Sequence, residues 1–122
     1  MANIVVVDDS FYMRTMLKHI LTDAGHQVVG EAANAESAVQ VIRELKPDLV
    51  TLDVILPDST GLDILKELRN DMLETKYIMV SAVGQNVIVD EALMLGAMDY
   101  IVKPFSEEKV VSTIEKVLSK VA

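Results

Sequence analysis

The chain has no cysteine among its 122 residues, so neither a disulfide nor a thiolate metal site can form. That absence fits a reducing compartment. Basic residues are scarce: 11 Lys and Arg stand against 19 Asp and Glu, a formal charge of −8. So acidic a chain lacks the basic footprint that neutralises nucleic-acid phosphates, which argues against DNA or RNA as a direct partner. Most of the carboxylates read as solubilising surface charge. Met1-Ala2-Asn3 carries no basic segment, and the apolar run after it is only a few residues long, so a secretion signal is not expected. No stretch approaches the ~18 apolar residues of a membrane span. Internal repeats, low-complexity tracts and interdomain linkers are missing too. These absences leave a soluble, cytoplasmic chain, expected to act as a monomer and as one domain over residues 1–122.

What is present is apolar and regularly patterned. Hydrophobic residues make up 51% of the chain, which places it with globular rather than disordered sequences. At this length folding can bury roughly two-thirds of the unfolded surface, enough for one core without staples. Strand-like runs fall at Asn3–Val7, Gln27–Ala32, 49–53, 77–81 and Asp99–Val102. The first and third are almost continuously apolar, as in strands covered on both faces.

Helical periodicity fills the intervals. Met13, Met16, Leu17, Ile20, Leu21 and Ala24 recur at three and four, with Gly25 as a C-terminal stop. Ala38, Val39, Ile42 and Leu45 form a second stripe, with Asn34 as cap and Lys46-Pro47 as terminator. Leu62, Leu65 and Leu68 form a third. Val110, Val111, Ile114, Val117, Leu118 and Val121 form the last, with Ser106 as its cap. Five β–α repeats predict an α/β fold, a parallel sheet with helices on both faces. The segment 87–95 is apolar apart from Asp90 and Glu91, wider than one stripe. It is either a deeply packed helix or one whose surplus apolar surface meets a partner.

Three apolar runs end directly in charge: Ile4-Val5-Val6-Val7 in Asp8-Asp9, Leu49-Val50-Thr51-Leu52 in Asp53, and Tyr100-Ile101-Val102 in Lys103-Pro104. Parallel strands end on one rim, so these charges would converge there. Three carboxylates and one ammonium suit a divalent metal and a phosphoryl group. Taken singly, Asp8, Asp9 or Ser10 could cap the first helix, Asp53 could sit in a turn, and Lys103 could be a surface lysine. His19 and His26 read as surface residues at and just past the end of the first helix.

Asp8-Asp9, Asp53, Ser81-Ala82, Tyr100 and Lys103-Pro104-Phe105, in this order and spacing, resemble the signature of the response-regulator receiver domain over the whole chain. The stretches Asp9-Ser10-Phe11-Tyr12-Met13-Arg14 and Ser81-Ala82-Val83-Gly84-Gln85 are most similar to the single-domain chemotaxis regulators of that family. The resemblance implies a flavodoxin-like (βα)5 domain with strand order 2-1-3-4-5. In that order the first and third strands are neighbours, which brings Asp8, Asp9 and Asp53 together. Crowded carboxylates resist ionisation, and a hard divalent cation relieves them.

The resemblance further implies Asp53 as phosphoacceptor, with Mg²⁺ (Mn²⁺ as a substitute) bound directly by Asp9, Asp53 and the Ile55 backbone carbonyl, and by Asp8 through water. Lys103 would supply a point charge, the Ser81 hydroxyl would donate to a phosphoryl oxygen, and Tyr100 would change rotamer as Ser81 moves. The Lys103-Pro104 bond is expected to be cis. The implied function is a phosphorylation switch of a two-component system, not an enzyme acting on outside substrates. A histidine kinase would be the donor, and a phosphatase a further partner. The implied target is a flagellar motor switch, met through the fourth helix, fifth strand and last helix; a phosphorelay shuttle or a receiver outside chemotaxis is the alternative.

Rivals of other kinds fare worse. A metal-dependent phosphohydrolase of the haloacid-dehalogenase class needs an acid two residues after its nucleophile, where Ile55 stands. A nucleotide or flavin binder needs a glycine-rich phosphate loop or Walker lysine, and the loop after the first strand carries two acids instead. A degenerate receiver kept only as an interaction module would not retain every site residue. Thr60, before Gly61, departs from the acid or amide usual there. Ile55 and Val83 flank the path of hydrolytic water and offer no group to orient it, so slow to moderate loss of the phosphoryl group is expected.

Overall fold

The computed structural model describes residues 1–71 and 74–120. Ten elements alternate along it: β1 (Asn3–Val7), α1 (Phe11–Asp23), β2 (Gln27–Ala32), α2 (Ala35–Leu45), β3 (Leu49–Leu52), α3 (Gly61–Leu68), β4 (Lys76–Ser81), α4 (Asn86–Met94), β5 (Asp99–Val102) and α5 (Glu107–Leu118). The strands form one parallel sheet in the order β2-β1-β3-β4-β5, the flavodoxin-like arrangement. Strand side chains alternate between faces, so each strand feeds two cores. Val5, Val7, Val50, Leu52 and Met79 meet α2, α3 and α4 on one side. Ile4, Val6, Ile78, Val80 and Ile101 meet α1 and α5 on the other. Burial of each such side chain contributes about 1.5–3 kcal/mol.

Local chemistry sets the helix ends. Hydroxyls of Ser10, Thr60 and Ser106 accept from the amides of Met13, Asp63 and Lys109, and Asn34 Oδ1 accepts from Ser37. Thr60 is thus the cap of α3. Gly25 (φ +92°) closes α1 in a left-handed turn, with Gly25 N–H donating to Thr22 and His26 N–H to Leu21. The Lys103–Pro104 bond is cis, as expected. Val121, assigned above to the last helix, lies outside the described residues. Among the described residues no helix is long and apolar enough to cross a membrane.

Two expectations need correction. His26 is not on the surface: it is 7% exposed, its Nδ1 accepts from Ala2 N–H at 3.1 Å, and its Nε2 faces Glu115 at 2.9 Å. The turn after α1 drops it between the first residues and α5, a neighbourhood that no local pattern announces. The segment 87–95 is not deeply packed either. Only Ala92 of α4 is buried, while Val87 is 75% and Met94 84% exposed. A short helix offers one stripe to the sheet, and the extra apolar residues point away from it.

Candidate functional site at the C-terminal rim of the sheet

Strand register brings the site together. β1 and β3 pair through Val7↔Leu52, and Asp53 N–H donates to Val7 O at 3.1 Å, so Asp8 and Asp53 leave adjacent strands side by side. β4 and β5 pair through Ser81↔Val102, and Lys103 N–H donates to Ser81 O at 2.9 Å. All these strands point the same way, so their last residues share one rim.

There Lys103 Nζ lies 2.6 Å from Asp8 Oδ2 and 2.9 Å from Asp53 Oδ2. Asp8 is 1% and Asp53 6% exposed, whereas Asp9 faces solvent. The other Asp8 oxygen accepts from Ser10 N–H at 2.9 Å, and Asp53 Oδ1 accepts from Ile55 N–H at 3.2 Å. Burial acts to lower the Lys103 pKa, but its hydrogen bonds to Asp8 and Asp53, and its attraction to both, hold it above the usual lysine value. The ammonium is a fixed positive charge between two carboxylates. Asp8, Asp9 and Asp53 each offer an oxygen, all within 4.8 Å of one another. Hard carboxylate oxygens at that separation fit Mg²⁺, which needs only one or two carboxylates beside waters and a phosphate. The Ile55 carbonyl, two residues after Asp53, accepts no hydrogen bond among the described residues.

Ser81 and Tyr100 converge on one residue, Val83. The buried Ser81 hydroxyl accepts from Val83 N–H at 3.2 Å, and the half-buried Tyr100 hydroxyl donates to Val83 O. The loop after β4 is therefore held from both sides by the two residues expected to move together. The structure brings Asp8, Asp53 and Lys103 into direct contact, sets Asp9 beside them, and places Ser81 at the end of β4 and Tyr100 in β5, both bonded to Val83 of the adjoining loop.

Other participants are not singled out by the sequence reading. Gly61 packs so tightly that an added Cβ would lie 2.2 Å from the Asp53 carbonyl oxygen, so a side chain there would displace the backbone of the central aspartate. Arg14 donates to the Asp8 carbonyl at 2.6 Å while its Nε pairs with Glu31 at 2.8 Å. Arg14 sits one helical turn from Ser10, a spacing that could have flagged it. Asp58 reaches back to the start of α2, with no sequence signal at all.

The sequence profile of the response regulator receiver domain matches residues 4–115. The chemotaxis protein CheY of Thermotoga maritima is 46% identical over 114 residues, 93% of this chain and 95% of that one. CheY of Bacillus subtilis is 43% identical over 116 residues, 95% of this chain and 97% of that one. Among solved structures, the CheX–CheY–BeF3–Mg²⁺ complex of Borrelia burgdorferi matches with a TM-score of 0.93 at 32% identity, covering 97% of this chain and 90% of that one. A family match over nearly the whole length, on a fold that gathers three aspartates and a lysine at one rim, makes this chain a CheY-like member of the response regulator receiver domain family of two-component systems.

Proposed function

We propose that the chain is a phosphorylation-activated switch in chemotaxis signalling, with Asp53 as the phosphoacceptor. The observation that carries this is the ammonium of Lys103 held on Asp8 and Asp53 beside the exposed Asp9. Asp9, Asp53 and the Ile55 carbonyl would hold Mg²⁺ directly, with Asp8 behind them, and Mn²⁺ as a substitute. Mg²⁺ there would neutralise charge on the phosphoryl oxygens.

An Asp53 carboxylate oxygen attacks phosphorus of a phosphohistidine on a partner kinase. The P–N bond breaks, the imidazole leaves and takes a proton, and an aspartyl phosphate forms. Lys103 then turns from the carboxylates toward the new dianion. The Ser81 hydroxyl would then donate to a phosphoryl oxygen and give up the hydrogen bond it accepts from Val83 N–H, which loosens the residue whose carbonyl Tyr100 also holds. The added charge, about −1.5 to −2, favours that arrangement over the present one, a shift of population within one fold. The readout face is the exposed apolar set Val87, Leu93 and Met94 of α4 with Val102 of β5, which suits a protein target such as a flagellar motor switch. The likeness to a CheY solved in complex with CheX supports a further protein partner, and a phosphatase would be one such partner.

On this reading the chain acts in the cytoplasm and performs its own phosphorylation and slow dephosphorylation, not turnover of outside esters. Ile55, two residues after Asp53, is apolar and 56% exposed, so neither a general acid nor a group to orient water stands there. Acetyl phosphate with Mg²⁺ should label the wild type. Asp53→Asn should take up nothing while its circular dichroism stays unchanged, and undiminished labelling of that variant would refute the assignment.

A further inference from the structure

Between Asp53 and α3 the chain passes through the turn 54–60, which presents the Ile55 carbonyl. The Ile55 side chain is 56% exposed, while Val54 and Leu56 on either side of it are buried in the core. Hydrogen bonds close the base of the turn: Gly61 N–H donates to Val54 O at 2.8 Å and Leu56 N–H to Ser59 O at 3.2 Å. The tip is held from outside. Asp58 Oδ1 accepts from Ala35 N–H at 2.7 Å, and Oδ2 accepts from Glu36 N–H at 3.0 Å. With Asn34 taking Ser37 N–H at 2.8 Å, the leading amides of α2 are all engaged, two of them by a residue from another loop. These backbone hydrogen bonds keep the Asp58 carboxylate below its ordinary pKa, so it stays a charged acceptor at the positive end of α2. Helix α2 is itself anchored, with Ala35, Ala38 and Ile42 buried.

We infer that Asp58 is a positioning residue, which bridges the turn to the first turn of α2 and thereby sets where the Ile55 carbonyl stands relative to Asp9 and Asp53. The inference rests on the Mg²⁺-dependent acceptor site proposed above. Asp58 would touch neither metal nor phosphate; removing its two hydrogen bonds would leave the turn held by its own hydrogen bonds, by Ser59 Oγ on Asp63 and by buried Val54 and Leu56, but without its tie to α2.

The test uses the full chain with Asp58→Ala and Asp58→Asn, read by calorimetric Mg²⁺ titration, by exchange of the Ala35 and Glu36 amides, and by acetyl phosphate labelling across Mg²⁺ concentrations. Partners that orient metal ligands typically carry 10–100-fold in affinity, and here only one ligand of several is affected, so Asp58→Ala should weaken Mg²⁺ binding about 3- to 10-fold. Asp58→Asn keeps one acceptor oxygen and should fall between it and wild type. Both amides should exchange faster. The labelling rate at saturating Mg²⁺ should match wild type, a split that a general loss of stability would not produce. If Asp58→Ala does not fold, Asp58→Asn carries the same reading. Wild-type Mg²⁺ affinity in a variant whose two amides have lost protection overturns the inference alone. A wild type that binds no Mg²⁺ at millimolar concentration overturns the acceptor site and this inference with it.

Discussion

At the rim where the strands begin, charged groups serve backbone closure. His26 accepts from Ala2 N–H and faces Glu115, Asp48 accepts from Asn3 N–H at 2.8 Å, and the Lys76 ammonium donates to the carbonyl of Lys120 at 2.8 Å near the end of α5. At the rim where the strands end, Asp8 and Asp53 share one ammonium, and the Asp9 carboxylate makes no hydrogen bond or ion pair among the described residues. The first rim resembles a seam and the second a site left with surplus negative charge. Charge matched within the protein contributes to stability; charge left unmatched is available for a cation or a transferring group, and weakens the fold that carries it. Substitutions on the two rims should therefore separate stability from phosphorylation.

The sharpest separation is expected at Lys103. Lys103→Met should slow labelling by acetyl phosphate about 100-fold, the scale of removing one stabilising donor from a developing charge. It also strands Asp8 and Asp53 without their cation, so the variant should be less stable in the absence of Mg²⁺. The folded-state pKa of Lys103 lies above its ordinary value of 10.5, so the ion pair's contribution is complete below that pH and disappears as pH rises through the higher folded value. The stability gap between wild type and Lys103→Met, from urea denaturation, should hold steady across neutral pH and narrow in strong alkali. A gap that widens there would contradict the pairing.

At the opposite rim, His26→Ala should cost about 1–3 kcal/mol, because the buried Ala2 amide loses its acceptor. Labelling per folded molecule should not change; a loss there would mean that the two rims communicate. The smallest effect is expected at Asp9→Asn. Removing an exposed carboxylate from beside two others should raise stability without metal by about 0.5–1 kcal/mol, while the heat of Mg²⁺ binding disappears. If that substitution destabilised the protein, the rim would not carry the excess charge argued here.

The predictable parts of this molecule share a property: the information lies within a few residues. A strand buried on both faces is apolar throughout, so β1, β3 and the charges that end them stand out on the page. Caps such as Asn34 and Ser106 act on amides three residues away and are equally visible. His26, Asp58 and Gly61 act across the fold, on Ala2, Ala35 and the Asp53 carbonyl, and nothing near them in sequence marks those partners. In α4 the surplus of apolar residues was plain, but it did not say which of them would be covered. That depends on how much of a nine-residue helix one sheet edge can touch.

Alternating strand and helix periods, and the residue types at the strand ends, were determined by the sequence alone, because backbone geometry reads hydrophobic spacing locally. The tertiary structure decided which strand ends are neighbours, and hence that Asp8, Asp53 and Lys103 touch. It also decided that α4 keeps Val87 and Met94 in the open and that α2 anchors the turn after Asp53. Those outcomes depend on contacts between segments far apart in the chain, whose distances exist only once the two cores have packed.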